Sequence, residues 1–175
     1  MRTLVIGLGN PILGDDGVGW KVAQEVKSRI ESDARYYMTI RPLGTKTVRH
    51  VSDIEVECAA LGGLSLMERM IGYQRAILVD SMETGQSPAG SVRVFPLEEL
   101  ANPSAGHSAS AHDTSLITAL ETGRHMGLAL PTEVLVVAIE AGNVYDFSEE
   151  LSPPVAAAVP LACQSVMGLL KEKII

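Results

Sequence analysis

The chain has 175 residues, 46% of them apolar and 4% aromatic, with a formal net charge of −7. That length suits one domain, residues 1–175, with a full hydrophobic core, and the acidic balance implies no basic patch for nucleic acid or anionic lipid. Cys58 and Cys163 fit no metal or redox spacing, the apolar run near the N-terminus is too short for a signal peptide, and no stretch approaches a membrane span. The expectation is a cytoplasmic, soluble protein with reduced thiols, a monomer or weak homo-oligomer.

Leu4-Val5-Ile6 predicts a short buried strand over residues 3–8. Residues 7–19 follow as Gly-Leu-Gly-Asn-Pro-Ile-Leu-Gly-Asp-Asp-Gly-Val-Gly, a glycine-rich strand-to-helix turn holding two adjacent aspartates. Val18, Val22, Ala23, Val26 and Ile30 keep helical period over 17–31. Residues 32–53 are mixed and charged, and no element or role is assigned to them. Residues 54–60 alternate as a strand does, Gly62-Gly63 break it, and Leu64, Leu66, Met67, Met70 and Ile71 suggest a helix. Residues 75–80 form an apolar run ending on Asp80, the pattern of a central parallel strand. A turn over Gly85–Gly90 leads to a strand at Ser91–Phe95, then to a small, polar loop over 101–112 with two histidines. Residues 113–127 are helical by period and Glu133–Ile139 is a strand. Ser152-Pro153 starts a final helix to about Lys173, which Pro160 should kink or divide. The alternation implies an α/β fold: a three-layer sandwich with a mainly parallel, twisted sheet of about five strands and helices on both faces.

Ligands in such sheets bind beyond the carboxyl ends of the strands, which places the loop after the first strand beside Asp80. Glycine-rich turns at helix N-termini commonly receive phosphate, but Asp15 and Asp16 put negative charge there, so the expected guest is a cation or a polarised peptide. One of the pair should cap the first helix; two consecutive residues cannot both do so, which leaves the other carboxylate needing a different role. Asp80 at the end of an apolar strand is costly to bury unless paired or ion-bound; the plainer reading is a surface aspartate capping the next turn through Ser81. His112 stands just ahead of a helix, whose positive end keeps the ring neutral; His107 competes with it, while His50 and His125 read as surface residues. Two carboxylates and one imidazole make a donor set suited to a borderline divalent ion, with positions left open for substrate or water. Asn10 and the backbone N–H groups of Gly14 to Gly17 are candidates for holding an oxyanion.

The dinucleotide fingerprint fails, because Ile12 stands where its third glycine is needed. Gly7-Leu8-Gly9-Asn10-Pro11 resembles the opening of bacterial peptidyl-tRNA hydrolases, but their continuation is missing and the net charge argues against a tRNA partner. Residues 7–19 as a whole resemble the opening motif of the nickel-iron hydrogenase maturation endopeptidases, Gly-x-Gly-Asn-x-x-x-x-Asp-[Asp/Glu]-Gly-x-Gly. Ala60-Leu61-Gly62-Gly63-Leu64, Ile77-Leu78-Val79-Asp80, Ser110-Ala111-His112-Asp113 and Phe147 to Pro153 extend that resemblance along most of the chain. It implies that Asp16, Asp80 and His112 are both the catalytic and the metal-reading residues. The implied substrate is the large-subunit precursor of a NiFe-hydrogenase, whose C-terminal extension is removed after nickel insertion. Nickel is then presented by the precursor, and the enzyme need hold no metal of its own. Metal-assisted hydrolysis ranks above an aspartic dyad of Asp16 and Asp80. The alternatives are a non-catalytic nickel-binding chaperone using the same three residues and, after it, a peptidyl-tRNA hydrolase-like enzyme.

Overall fold

The computed structural model describes residues 1–32, 53–101 and 111–171, with side chains for all of these except 101 and 111–115. Among these residues five strands, β1 (Thr3–Leu8), β2 (Ile54–Ala59), β3 (Arg75–Met82), β4 (Val92–Pro96) and β5 (Glu133–Glu140), form one sheet in the order β2-β1-β3-β5-β4. β1 pairs in parallel with β2 and β3, β3 pairs in parallel with β5, and β4 runs antiparallel to β5 at the edge. Burial follows sequence pattern. β1 and β3 are apolar along most of their length and buried throughout, as strands covered on both faces must be, whereas β2 and β4 are only partly buried and lie at the two edges.

Among the described residues, four helices cover the sheet: α1 (Val18–Ser32), α2 (Gly63–Arg69), α3 (Ala111–His125) and α4 (Pro153–Lys171). Successive side chains of a strand point to opposite faces, so each central strand feeds two cores. Leu4, Ile6, Ala76, Leu78 and Val136 pack with Leu66 and Met67 of α2 and Leu116 and Leu120 of α3. Val5, Ile77, Val79, Val137 and Ile139 pack with Val18, Val22 and Val26 of α1 and Val155, Ala162 and Val166 of α4. Each fully buried aliphatic side chain contributes about 1.5–3 kcal/mol, so both layers are tied firmly to the sheet.

Several boundaries differ from the sequence reading. Helical structure after β1 begins three residues early, as a 3-10 turn over Gly14–Gly17. β3 continues to Met82, so Asp80 lies inside the strand, opposite Ala138 of β5, rather than ending it. α4 runs unbroken through Pro160, and the packing of its inner face explains why the proline does not divide it. Residues 33–52, 102–110 and 172–175, with His50 and His107 among them, lie outside the described residues. Among the described helices α4 alone has the length and apolarity of a membrane span, and its inner residues are core residues of the sandwich.

From β1 the chain passes through α1 to β2 on one flank, then through α2 to β3 on the other. The strand order therefore reverses between β1 and β3, and α/β sheets take their ligands in the crevice beyond the carboxyl ends of the strands at such a point. Gly19 lets α1 start close against this edge: a Cβ there would stand 2.3 Å from the Leu8 carbonyl oxygen and 2.4 Å from that of Val79.

Candidate active site at the carboxyl edge of the sheet

The two adjacent aspartates of the first loop have separate tasks. Asp15 is fully buried and accepts four hydrogen bonds: from the N–H of Gly142 (3.2 Å), the N–H of Asn143 (3.1 Å), and the N–H (2.7 Å) and hydroxyl (2.9 Å) of Ser152. It clasps the loop after β5 and the start of α4 to the loop after β1. Backbone bonds reinforce the clasp, Gly14 N–H to Ser148 O and Asp15 N–H to Asn143 O. Asp16 is half-buried and turns the other way, accepting from the Asn10 N–H at 2.6 Å and from the Ser81 hydroxyl at 3.1 Å. Gly9, with φ of +107°, makes that approach feasible, since a Cβ there would meet the Asp16 carbonyl oxygen at 1.8 Å.

The expected helix cap is absent, because the 3-10 turn has no side-chain capping bond and both carboxylates are engaged elsewhere. The oxyanion assignment also fails for most of its donors. The N–H groups of Gly14, Asp15 and Asp16 are already bonded to the carbonyls of Ser148, Asn143 and Leu13.

Asp80 is 3% exposed, and its Oδ1 accepts the Ser81 N–H at 2.9 Å. The same residue that bonds Asp80 through its backbone therefore bonds Asp16 through its side chain. Those two acids, 64 positions apart in sequence, meet within the span of one serine. The turn that follows is fixed by Glu140 at the end of β5, which accepts from the N–H groups of Thr84 (2.9 Å) and Gly85 (2.8 Å) and from the Thr84 hydroxyl (2.7 Å). Glu83 is exposed. Sequence reasoning missed Ser81 and Glu140 as organisers of the site. The only signal either offered was a polar residue inside or ending an apolar strand.

His112 falls in the first turn of α3, and its side chain lies outside the described part. α3 packs on the α2 side of the sheet, the face to which strand alternation also sends Asp80, with Leu78 and Met82. His125, at the other end of α3, is exposed and its Nδ1 stands 2.8 Å from the Glu121 carbonyl oxygen. Among the described residues no cluster of three or more His, Cys, Asp or Glu is arranged to hold a metal ion. Cys58 and Cys163 are free thiols on separate elements, and burial pushes both upward from the ordinary thiol range.

The edge has one further electrostatic property. The segments that follow the four parallel strands, residues 9–17, 60–62, 83–91 and 141–152, contain no Lys or Arg but do contain Asp15, Asp16, Glu83, Asp146, Glu149 and Glu150. A cation approaching the crevice meets negative potential from several loops at once.

Comparison with known proteins gives one consistent answer. The family described as hydrogenase maturation protease, HycI, matches residues 47–169. The chain is 23% identical over 171 residues to the hydrogenase expression/formation protein HupD of Rhizobium leguminosarum bv. viciae, covering 98% of this chain and 75% of that protein. It is 24% identical over 173 residues to a putative hydrogenase maturation protease of Methanocaldococcus jannaschii, covering 97% and 96%. Among solved structures, the hydrogenase maturating endopeptidase HybD of E. coli has the same fold, with a TM-score of 0.71 at 21% identity over 99% of this chain and 94% of that one. The [NiFe] hydrogenase maturation protease HybD of Thermococcus kodakarensis gives 0.68 at 22% identity, covering 98% and 100%.

Proposed function

The chain belongs to the hydrogenase maturation protease family and is a peptidase, and from that premise we propose that Asp16, Asp80 and His112 form its active centre. The substrate in this reading is a NiFe-hydrogenase large-subunit precursor already carrying nickel, and the reaction removes the precursor's C-terminal extension. The observation that carries the reading is the Ser81 link between Asp16 and Asp80 at the switch point of the sheet. Asp16 in the loop beyond β1 and Asp80 near the carboxyl end of β3 form a cation-seeking pair, with no lysine or arginine in the segments that follow the four parallel strands.

Oxygen and imidazole donors suit a borderline divalent ion such as the nickel of the precursor. Asp16 comes from the loop after β1, Asp80 from near the carboxyl end of β3, and His112 from the first turn of α3. An unfilled precursor presents no cation to these acids and is not held; a nickel-loaded one is. Binding then sets the scissile peptide beside a carboxylate able to take a proton from an attacking water. The nickel belongs to the substrate throughout.

The test uses purified protein with nickel-loaded precursor, read by mass spectrometry. A product shortened at its C-terminus is expected, with no such product from Asp16→Ala, Asp80→Ala or His112→Ala variants that retain the native circular dichroism spectrum. Normal processing by all three variants would remove the assignment, and nickel binding without cleavage by the parent protein would turn it into a chaperone.

A further inference from the structure

We propose that Ser81 is a positioning residue of this centre, holding the Asp16 carboxylate in the orientation in which it meets substrate; the proposal rests on the reading of Asp16 and Asp80 just given. Ser81 is 6% exposed, and strand alternation sends it to the face of Ile77 and Val79, which pack against α1 and α4. Ala76, Leu78 and Met82 pack on the other face, with α2 and α3, and Asp80 shares their alternation. Neighbouring residues of β3 thus address opposite layers of the sandwich. Ser81 joins the two layers, its hydroxyl donating to Asp16 Oδ1 at 3.1 Å and its N–H to Asp80 Oδ1 at 2.9 Å.

The other Asp16 oxygen accepts the Asn10 N–H at 2.6 Å. Each Asp16 oxygen therefore has one donor, and two anchored oxygens fix the plane of the group. Removing the serine hydroxyl leaves a single anchor, about which the carboxylate turns in the broad well of its terminal torsion. A misplacement of about 1 Å can cost up to roughly 100-fold in rate, because catalysis depends on the group being in place before the chemistry begins. Ser81 acts through Asp16 and need touch neither the precursor nor its nickel.

The experiment measures steady-state cleavage of nickel-loaded precursor by the full chain and by Ser81→Ala and Ser81→Thr variants, with a melting curve for each. Ser81→Ala is expected to lower kcat about 10-fold or more, with KM within about twofold of the parent, because orientation and not affinity is lost. Ser81→Thr keeps the hydroxyl and is expected to recover most of kcat. A parental kcat in Ser81→Ala overturns the proposal, and so does equal impairment of the alanine and threonine variants at unchanged melting temperature. Asp16→Ala and Asp80→Ala in the same assay separate the two levels of inference. If they still cleave, the active-centre reading fails and takes this one with it; if they do not and Ser81→Ala cleaves normally, this one fails alone.

Discussion

Replacing Asp15 and Asp16 one at a time should separate folding from activity at two adjacent positions. Asp15 takes four hydrogen bonds from three positions that lie 127 to 137 residues further along the chain. A hydrogen bond to a charged group has a net worth of about 1.5–3 kcal/mol, but the exposed backbone of Gly142 and Asn143 can recruit water, so Asp15→Ala should cost roughly 3–4 kcal/mol in all. At about 2–4 °C per kcal/mol for a chain of this size, the melting temperature should drop by roughly 10 °C. Asp15→Asn is intermediate: if its oxygen faces the three donors on the Oδ2 side, its amide group opposes the Ser152 N–H on the other. Asp16→Ala gives up two bonds at a half-buried position and should cost only about 1 kcal/mol. Activity should rank the other way, with Asp16→Ala inactive and both Asp15 variants cleaving precursor below their lowered melting temperatures. Circular dichroism melts and mass spectrometry of the precursor read both axes. The reasoning fails if Asp15→Ala melts within about 2 °C of the parent, or if Asp16→Ala loses as much stability as Asp15→Ala.

Glu140 should tolerate glutamine but not alanine. A glutamine oxygen can keep the Thr84 and Gly85 N–H groups while its amide donates to the Thr84 hydroxyl, whereas alanine should cost about 2–3 kcal/mol and open the turn to limited proteolysis; equal damage from both would contradict the clamp. Tyr73 supplies a pH dependence: burial, and after it the hydrogen bond to Glu55, push its phenol from 10.0 up to about 12. The folded state thus keeps a proton that the unfolded state releases, so this contribution is complete below pH 10.0 and is lost as pH rises through about 12. Tyr73→Phe should flatten stability across that window, and a phenolate absorbance step for Tyr73 near its ordinary value would refute the assignment.

The sheet was legible because its pattern is forced by burial. A strand covered on both faces must be apolar almost throughout, so β1 declared itself as buried and β3 as central, while β4 and β5 were legible only as strands. Asp16 and Asp80 were legible for a related reason, since charge at the carboxyl end of a buried strand, or in the loop beyond it, is costly unless something uses it. What stayed hidden is the division of work among polar neighbours. Asp15 and Asp16 are chemically identical and adjacent, and only the loop after β5 and the start of α4, more than 120 residues away, decide which turns inward. Capping propensity is a local rule, and here partners remote in sequence overrode it.

Remote partners also let the loops at this edge be polar and still hold shape. Exposed loops are usually mobile because few of their backbone groups have fixed partners. Here a carboxylate anchors each side of the crevice: Asp15 binds the loop after β1 to the loop after β5, and Glu140 binds the turn after β3 to the end of β5. β5 contributes no residue to the proposed active centre, yet both anchors converge on its carboxyl end. Its position in the sheet, between β3 and β4, therefore does as much to fix Asp16 and Asp80 as the strands that carry or precede them.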